Sequence, residues 1–165
     1  MQYENLRVNG YATLQPNRPN LPPPTAPING TPARFAESDV RVLVIEVDRG
    51  SAQLIESLLR RMGYDVRVAG DSGTAARLAL AFRPDVILSN LDLPDRDGCE
   101  LVADLLDDPA LRHTTPIALS DHGSPAERER ARSVGFELQL VKPLSPGLLK
   151  AAMDSATRAL PALGG

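Results

Sequence analysis

The stretch DVILSNLDLPDRDG, residues 85–98, decides the fold class. Its first half, DVILSN, is a short apolar run bounded by polar residues, which is typical of a strand buried on both faces of a parallel sheet. Its second half combines acids with a proline and a glycine, the composition of a loop. We therefore expect a buried strand that ends near Asn90 and runs into a polar loop.

Four further apolar runs flank this strand, and each is followed by an amphipathic segment. The runs are VRVLVI (40–45), DVRV (65–68), PIALS (116–120) and LQLV (138–141). Five strands alternating with helices of ten to fifteen residues predict a parallel sheet covered by helices on both faces, because each parallel pair needs a crossover. The fold class that this pattern indicates is an open α/β sandwich.

Local signals place the ends of the helices. Leu54, Leu58 and Met62 recur every four residues and predict the apolar face of the first helix, which Gly63 would end. Asp71 or Ser72 is a candidate N-cap for the second helix. The run Ser124-Pro125-Ala126-Glu127 predicts an N-cap, a proline in the first turn and a capping-box acid.

The composition changes sharply before the first strand. Residues 1–37 contain seven of the fifteen prolines and almost no apolar periodicity, which predicts a disordered or polyproline-II tail. The motif LPPP at 21–24 is either a docking motif for an aromatic groove or part of a semi-extended linker. We expect one folded domain over residues 38–160 and a short C-terminal tail at 161–165.

Charge and composition exclude several classes of function. A net charge of −3, six aromatic residues and the lack of a Lys/Arg run give no support for nucleic-acid binding. The single Cys99 allows neither an intrachain disulfide nor a multi-cysteine metal cluster, and a small buried residue is expected there. No signal peptide and no apolar run of ~18 residues is visible, so we expect a soluble, cytoplasmic protein that does not enter the membrane.

Polar side chains gather where the predicted strands end. In open α/β sheets, ligands bind beyond the carboxyl ends of the strands. The residues at these ends in this chain are Glu46, Val47, Asp48, Asn90, Asp92, Ser120, Asp121, Lys142 and Pro143.

Residues 40–156 resemble the receiver domain of bacterial two-component response regulators. The resemblance rests on LVIEVD after the first strand, DVILSNLDLPDRDG at the third, PIALS at the fourth and LVKP after the fifth. It implies a CheY-like, flavodoxin-like (βα)5 three-layer sandwich with strand order 2-1-3-4-5. It also implies two-component or phosphorelay signalling, in which a histidine kinase transfers a phosphoryl group to an aspartate at the end of the third strand.

Each part of such a site has a chemical reason. The nucleophile is a carboxylate, two adjacent acids on the first strand hold Mg²⁺, and a Ser/Thr hydroxyl and a lysine contact the phosphoryl group. By resemblance, Ser120 holds the hydroxyl position, Lys142 the lysine position and Glu46 the first acid. The second acid is replaced by Val47, and the acceptor position is Asn90.

These replacements predict a pseudo-receiver. An amide has no anionic oxygen to attack phosphorus, and a valine offers no ligand to a cation. We therefore expect no phosphoacceptance, no metal or other cofactor and no enzymatic activity, since no catalytic triad or phosphate-binding glycine loop is present. The alternative is a conventional phosphoaccepting regulator that uses Asp92 with Glu46 and Asp48 and binds Mg²⁺, although that register displaces Pro94 and Gly98 from their motif.

The retained polar residues also have plain structural explanations. Lys142 and Glu46 can form an ion pair, and Ser120 can bond to backbone groups at a strand end. His113 and His122 lie on predicted loops without a second His or Cys nearby, so neither predicts a metal site.

The expected role is therefore that of a protein-interaction module without an output domain of its own. The partner is a protein, such as a histidine kinase or another signalling protein. A homodimer through the face formed by residues 125–159 is also possible on the resemblance. Gln139 stands where the family often has an aromatic residue that reports phosphorylation, which predicts a static face.

Overall fold

The sheet is parallel throughout, as the alternation of strands and helices predicts. The computed structural model of the protein describes residues 40–158 and residue 160. The expectations for residues 1–37 and 161–165 therefore lie outside the described residues.

Five strands and five α-helices alternate along the described chain. The strands are β1 (Arg41–Ile45), β2 (Asp65–Ala69), β3 (Val86–Asn90), β4 (Thr115–Ser120) and β5 (Leu138–Val141). The helices are α1 (Arg49–Arg61), α2 (Ser72–Phe82), α3 (Gly98–Asp107), α4 (Pro125–Val134) and α5 (Pro146–Arg158), with a 3-10 turn at Pro109–Leu111. The strand order is β2-β1-β3-β4-β5, which confirms the flavodoxin-like 2-1-3-4-5 topology.

Two apolar layers hold the helices on the sheet. Residues of β3 alternate between them, with Val86 and Leu88 on one face and Ile87 on the other. The first layer packs against α1 and α5, and the second packs against α2, α3 and α4. All five residues of β3 are buried, as expected for a central strand covered on both sides. The stretch that predicts the fold class is thus the middle of the core.

The predicted apolar face of α1 is confirmed at Leu58 and Met62 and wrong at Leu54. Leu54 is 52% exposed, whereas Ile55, Leu58 and Leu59 are buried. A four-residue spacing fits Leu54 as well as Ile55, and only the packing against the sheet separates them. The exposed Leu54 lines the pocket described below.

Helix starts follow the capping signals with one exception. The carboxylates of Asp48, Asp71 and Asp97 accept backbone N–H groups in the first turns of α1, α2 and α3. Ser124 caps α4, but the predicted capping box is wrong, because the Glu127 carboxylate accepts the N–H of Gly123 rather than that of Ser124. Within the described part of the chain, no helix is both long enough and apolar enough to cross a membrane.

Candidate functional site

The carboxyl ends of β1, β3 and β5 surround an open pocket with a volume of about 520 Å³. It contains four acids and one lysine, and its outer wall is apolar and comes from α1 and from the segment after β5. The lining residues are Glu46, Val47, Asp48, Ser51, Leu54, Ile55, Asn90, Asp92, Asp121, Lys142, Pro143 and Leu144.

Glu46 lies at the base of the pocket, where β1 ends next to β2 and β3. It is only 1% exposed, so its carboxylate needs partners in place of water. Glu46 Oε1 accepts the Asn90 side-chain N–H at 2.8 Å and the Asp48 backbone N–H at 3.1 Å. Its second oxygen accepts from Lys142 Nζ at 2.7 Å. Both oxygens are therefore occupied by groups of the protein itself.

Asn90 ends β3 at the position that the resemblance gives to the phosphoacceptor. While its amide nitrogen donates to Glu46, its Oδ1 accepts the backbone N–H of Asp92 at 2.9 Å. The side chain is thus held from both sides in a residue that is 4% exposed. A carboxylate here would accept the second bond but would face Glu46 with like charge, so the present network requires the amide donor.

Lys142 supplies the positive charge of the pocket. Its ammonium group lies 2.7 Å from Glu46 and 3.5 Å from Asp121, and the following Lys142–Pro143 peptide is cis. Burial alone would lower the pKa of Lys142, but the hydrogen bond and charge of Glu46, followed by those of Asp121, raise it above its ordinary value. The predicted ion pair is confirmed, and Lys142 is charged at neutral pH.

Val47 and Asp48 occupy the mouth of the pocket. Val47 is 44% exposed and contributes only carbon atoms to it. Asp48 is the N-cap of α1 and accepts the Ser51 backbone N–H at 2.8 Å. This hydrogen bond is the main cause of the lowered pKa of Asp48, with smaller contributions from the Ser51 hydroxyl and the Lys142 charge that exceed the opposing effect of desolvation.

Asp92 is exposed on the loop after β3 and also lines the pocket. It pairs with Asp97 in an isolated antiparallel bridge, which folds the loop back toward the start of α3. Asp92 therefore lies beyond the end of β3, as expected when Asn90 occupies the phosphoacceptor position.

Ser120 is not brought into the pocket. It is 1% exposed, and its hydroxyl donates to Glu127 Oε1 of α4 at 2.6 Å. Its oxygen accepts the backbone N–H groups of His122 and Gly123, which confirms the expected backbone role. Of the two positions expected to contact a phosphoryl group, only Lys142 lines the pocket.

The residues present do not fit the magnesium ion that a receiver fold implies. Both oxygens of Glu46 are engaged by protein donors, the Asn90 oxygen accepts a backbone N–H, and Val47 stands where an acid ligand would be needed. Over residues 40–158 and 160, no group of three His, Cys, Asp or Glu side chains is placed to hold a metal ion.

The glycine that closes the β3 loop motif has a steric reason. A Cβ on Gly98 would lie 2.3 Å from the carbonyl oxygen of Asn90 and 2.8 Å from Leu91 Cα. The N–H of Gly98 donates to the Leu91 carbonyl at 2.8 Å, so α3 begins against the backbone of the strand end. The backbone of the loop from Leu91 to Gly98 thus fixes the position of Asn90 independently of the chemistry of the Asn90 side chain.

Together, the doubly covered 2-1-3-4-5 sheet and the acids and lysine at its strand ends define a receiver domain. The family model for the response regulator receiver domain matches residues 42–154, and the chain belongs to this family.

Named relatives agree with this assignment. Over 104 residues the chain is 33% identical to the polar-differentiation response regulator DivK of Brucella anthropi, covering 63% of this chain and 85% of that protein. Over 118 residues it is 30% identical to the response regulator PleD of Caulobacter vibrioides, covering 72% of this chain and 26% of that protein. Among solved structures, the chemotaxis response regulator CheY4 of Vibrio cholerae superposes with a TM-score of 0.68 at 27% identity, covering 71% of this chain and 98% of that one.

The sequence predicts the residues at the base of the pocket, but not every contact around them. The sequence predicts that Asp121 lies at a strand end and indicates no partner for it. In the structure it is the second acid near Lys142. The sequence predicts Glu127 as the acid of a capping box, whereas its carboxylate accepts a hydrogen bond from Ser120 across the β4–α4 loop. No pattern in the chain indicates that contact, because it depends on how α4 packs against β5.

Proposed function

We propose that this receiver domain does not accept a phosphoryl group and acts as a protein-interaction module in two-component signalling. It has no enzymatic role and takes no cofactor. Its partner is a signalling protein, of which a histidine kinase is one class.

The hydrogen bonding of Asn90 carries this proposal. The amide stands at the acceptor position, donates to Glu46 and accepts from Asp92, so the site is complete without a phosphoryl group or a cation. Neither amide atom has the charge that attack on phosphorus requires. Lys142, whose charge would pair with a phosphoryl group, is already paired with Glu46 at 2.7 Å.

A fixed domain still presents a binding surface. The segment from 125 to 159 contains two of the large apolar side chains that are exposed in the described chain, Val141 at 39% and Leu148 at 40%. Arg128 and Arg132 of α4 are exposed in the same segment. Apolar anchors with a charged rim support protein binding through this face.

Labelling with a small phosphodonor tests the proposal directly. We expect the intact mass of the full chain to stay unchanged after incubation with acetyl phosphate and Mg²⁺, because neither Asn90 nor Val47 can take part in transfer. A gain of one phosphoryl group per chain that disappears in Asp92→Ala would instead establish Asp92 as the acceptor, with Glu46 and Asp48 as its neighbours.

Rebuilding the site gives the matched positive control. We expect Asn90→Asp alone to restore little labelling and Asn90→Asp with Val47→Asp to restore more, since the second change returns a cation ligand. Equal labelling of the single and double variants would show that the remaining acids already suffice for a cation.

A further inference from the structure

The β4–α4 loop is closed by hydrogen bonds that converge on one carboxylate oxygen. Glu127 Oε1 accepts from Ser120 Oγ at 2.6 Å, from the Gly123 N–H at 2.9 Å and from Gln139 Nε2 at 3.2 Å. We call Ser120, Gly123, Glu127 and Gln139 the Glu127 cluster. It joins the end of β4, the loop, α4 and β5 through a single side chain.

The Ser120 hydroxyl has no capacity left for another anion. A hydroxyl donates one proton, and Ser120 gives its proton to Glu127. Its oxygen accepts the N–H groups of His122 at 3.1 Å and Gly123 at 2.9 Å. The group that would contact a phosphoryl group in the pocket is therefore bonded on the opposite side, toward α4.

The loop also has little freedom to rearrange. Gly123 has φ +69°, in the left-handed region, and a Cβ at this position would lie 2.5 Å from Val141 Cγ2. The loop is thus pressed against β5 at the residue whose N–H points to both Ser120 and Glu127. Arg128 of α4 adds a bond to the Gly123 carbonyl at 3.0 Å.

We propose that Glu127 is a positioning residue that serves as a built-in anion for the Ser120 hydroxyl. It accepts the Ser120 proton from the side of α4, so that this proton is not available to an anion in the pocket, and it holds the β4–α4 loop in one arrangement. This inference deepens the proposed function and rests on it, since a permanent internal anion gives the α4 and β5 surface a constant shape.

Amide hydrogen exchange of the full chain, followed by NMR without any phosphodonor, tests the proposal. Removing the carboxylate in Glu127→Ala is expected to speed exchange of the Gly123 amide by about tenfold, the factor for one lost charged hydrogen bond. Exchange of the His122 amide should rise less, because His122 donates to Ser120 Oγ. Ser124→Ala is the matched control, because it removes the N-cap of the same helix and leaves the carboxylate in place. We expect Gly123 exchange in that control to stay within about twofold of the natural chain.

Two more variants separate a shared network from a general loss of stability. Ser120→Ala should speed exchange of both amides, because both donate to its hydroxyl oxygen. Adding Glu127→Ala to Ser120→Ala should change His122 exchange little, since Glu127 reaches His122 only through Ser120, whereas Gly123 then loses both of its acceptors and should exchange faster still. Glu127→Gln keeps the shape and one acceptor oxygen, so it should give a smaller acceleration in the same direction.

Unchanged Gly123 exchange in both Glu127 variants would overturn the proposal. So would an equal acceleration in Ser124→Ala, or additive effects of Ser120→Ala and Glu127→Ala on the exchange of the His122 amide. Since no phosphodonor is present, these outcomes are independent of whether the chain can be labelled.

Discussion

Glu46 and Lys142 form an ion pair at the base of the pocket. Glu46 has no exposed side-chain surface and Lys142 has 13%, so water solvates this pair only weakly and the two side chains contact each other instead. Lys142→Met is expected to lower the free energy of unfolding by about 3 kcal/mol, because it leaves a buried carboxylate without its cation. Urea denaturation at neutral pH measures this loss.

The charge-neutral double variant is the control for this expectation. Glu46→Gln with Lys142→Met should cost less than Lys142→Met alone, since no unpaired charge then remains buried. A double variant that is less stable than either single variant would mean that packing, and not charge, dominates at this position.

The pH dependence of the pair follows from the raised pKa of Lys142. A raised folded-state pKa contributes stability that is fully present below the ordinary value of 10.5 and is lost as the pH rises through the folded-state pKa. The stability difference between the natural chain and Lys142→Met should therefore be constant near neutrality and shrink above pH 10.5. A difference that already shrinks between pH 7 and 9 would contradict this assignment.

At the scale of elements, Gly98 at the start of α3 packs directly against the backbone of Asn90. Gly98→Ala is expected to destabilise the domain by about 2 kcal/mol or more, because the new Cβ meets the backbone of Asn90 and Leu91. Gly147→Ala is the matched control within α5, where a Cβ would meet nothing within 4 Å, and it should be neutral or stabilising by up to about 1 kcal/mol. Thermal unfolding of both variants gives the comparison, and equal losses would remove the steric explanation.

Asp97 ties α3 to α4 through two kinds of contact. Its carboxylate caps α3 by accepting the Cys99 N–H at 2.7 Å, and it also pairs with Arg130. Burial would raise the pKa of Asp97, but the bonds from Arg130 and Cys99 lower it below 3.8. Its contribution to stability is therefore present above that pH and is lost as the pH falls through the folded-state pKa.

Two substitutions separate the cap from the ion pair. Asp97→Asn keeps an acceptor oxygen and should cost less than Asp97→Ala, which loses about 1 kcal/mol from the cap alone. The deficit of Asp97→Asn should vanish in acid, where the natural carboxylate is protonated. A deficit that does not shrink as the pH falls below 3.8 would assign the effect to the cap and not to the charge.

The elements were predictable because their signals are local. Apolar runs, caps and the glycine that ends α1 depend on neighbours in sequence, and all five strands were expected where they lie. The face of α1 was not predictable from spacing alone, since Leu54 and Ile55 both fit the period and only contact with the sheet buries one of them. The Glu127 cluster is not predictable for the same reason, because its members come from β4, the following loop, α4 and β5 and meet only after these elements have packed.

For the whole molecule, the segment at residues 125–159 is the proposed protein-binding face. The 125–159 segment presents Arg128 and Arg132 on α4 beside the exposed Val141 and Leu148. The first helix offers a matched arginine pair, Arg60 and Arg61, on another exposed surface. The two arginine pairs have the same charge, but only the pair on α4 belongs to the segment that contains the exposed Val141 and Leu148.

Charge reversal at these two pairs tests the binding face with a second copy of the chain as the partner. Arg128→Glu with Arg132→Glu should weaken self-association, measured by sedimentation over a concentration series, more than Arg60→Glu with Arg61→Glu. Because Arg128 also bonds the Gly123 carbonyl, Arg132→Glu alone should retain part of the effect if charge at the interface is the cause. Acetyl phosphate should leave the association constant unchanged, since the β4–α4 loop already holds its anion in Glu127. Equal weakening by both pairs, a monomer at every concentration, or association that strengthens with phosphodonor would reject a constant homodimer face at residues 125–159.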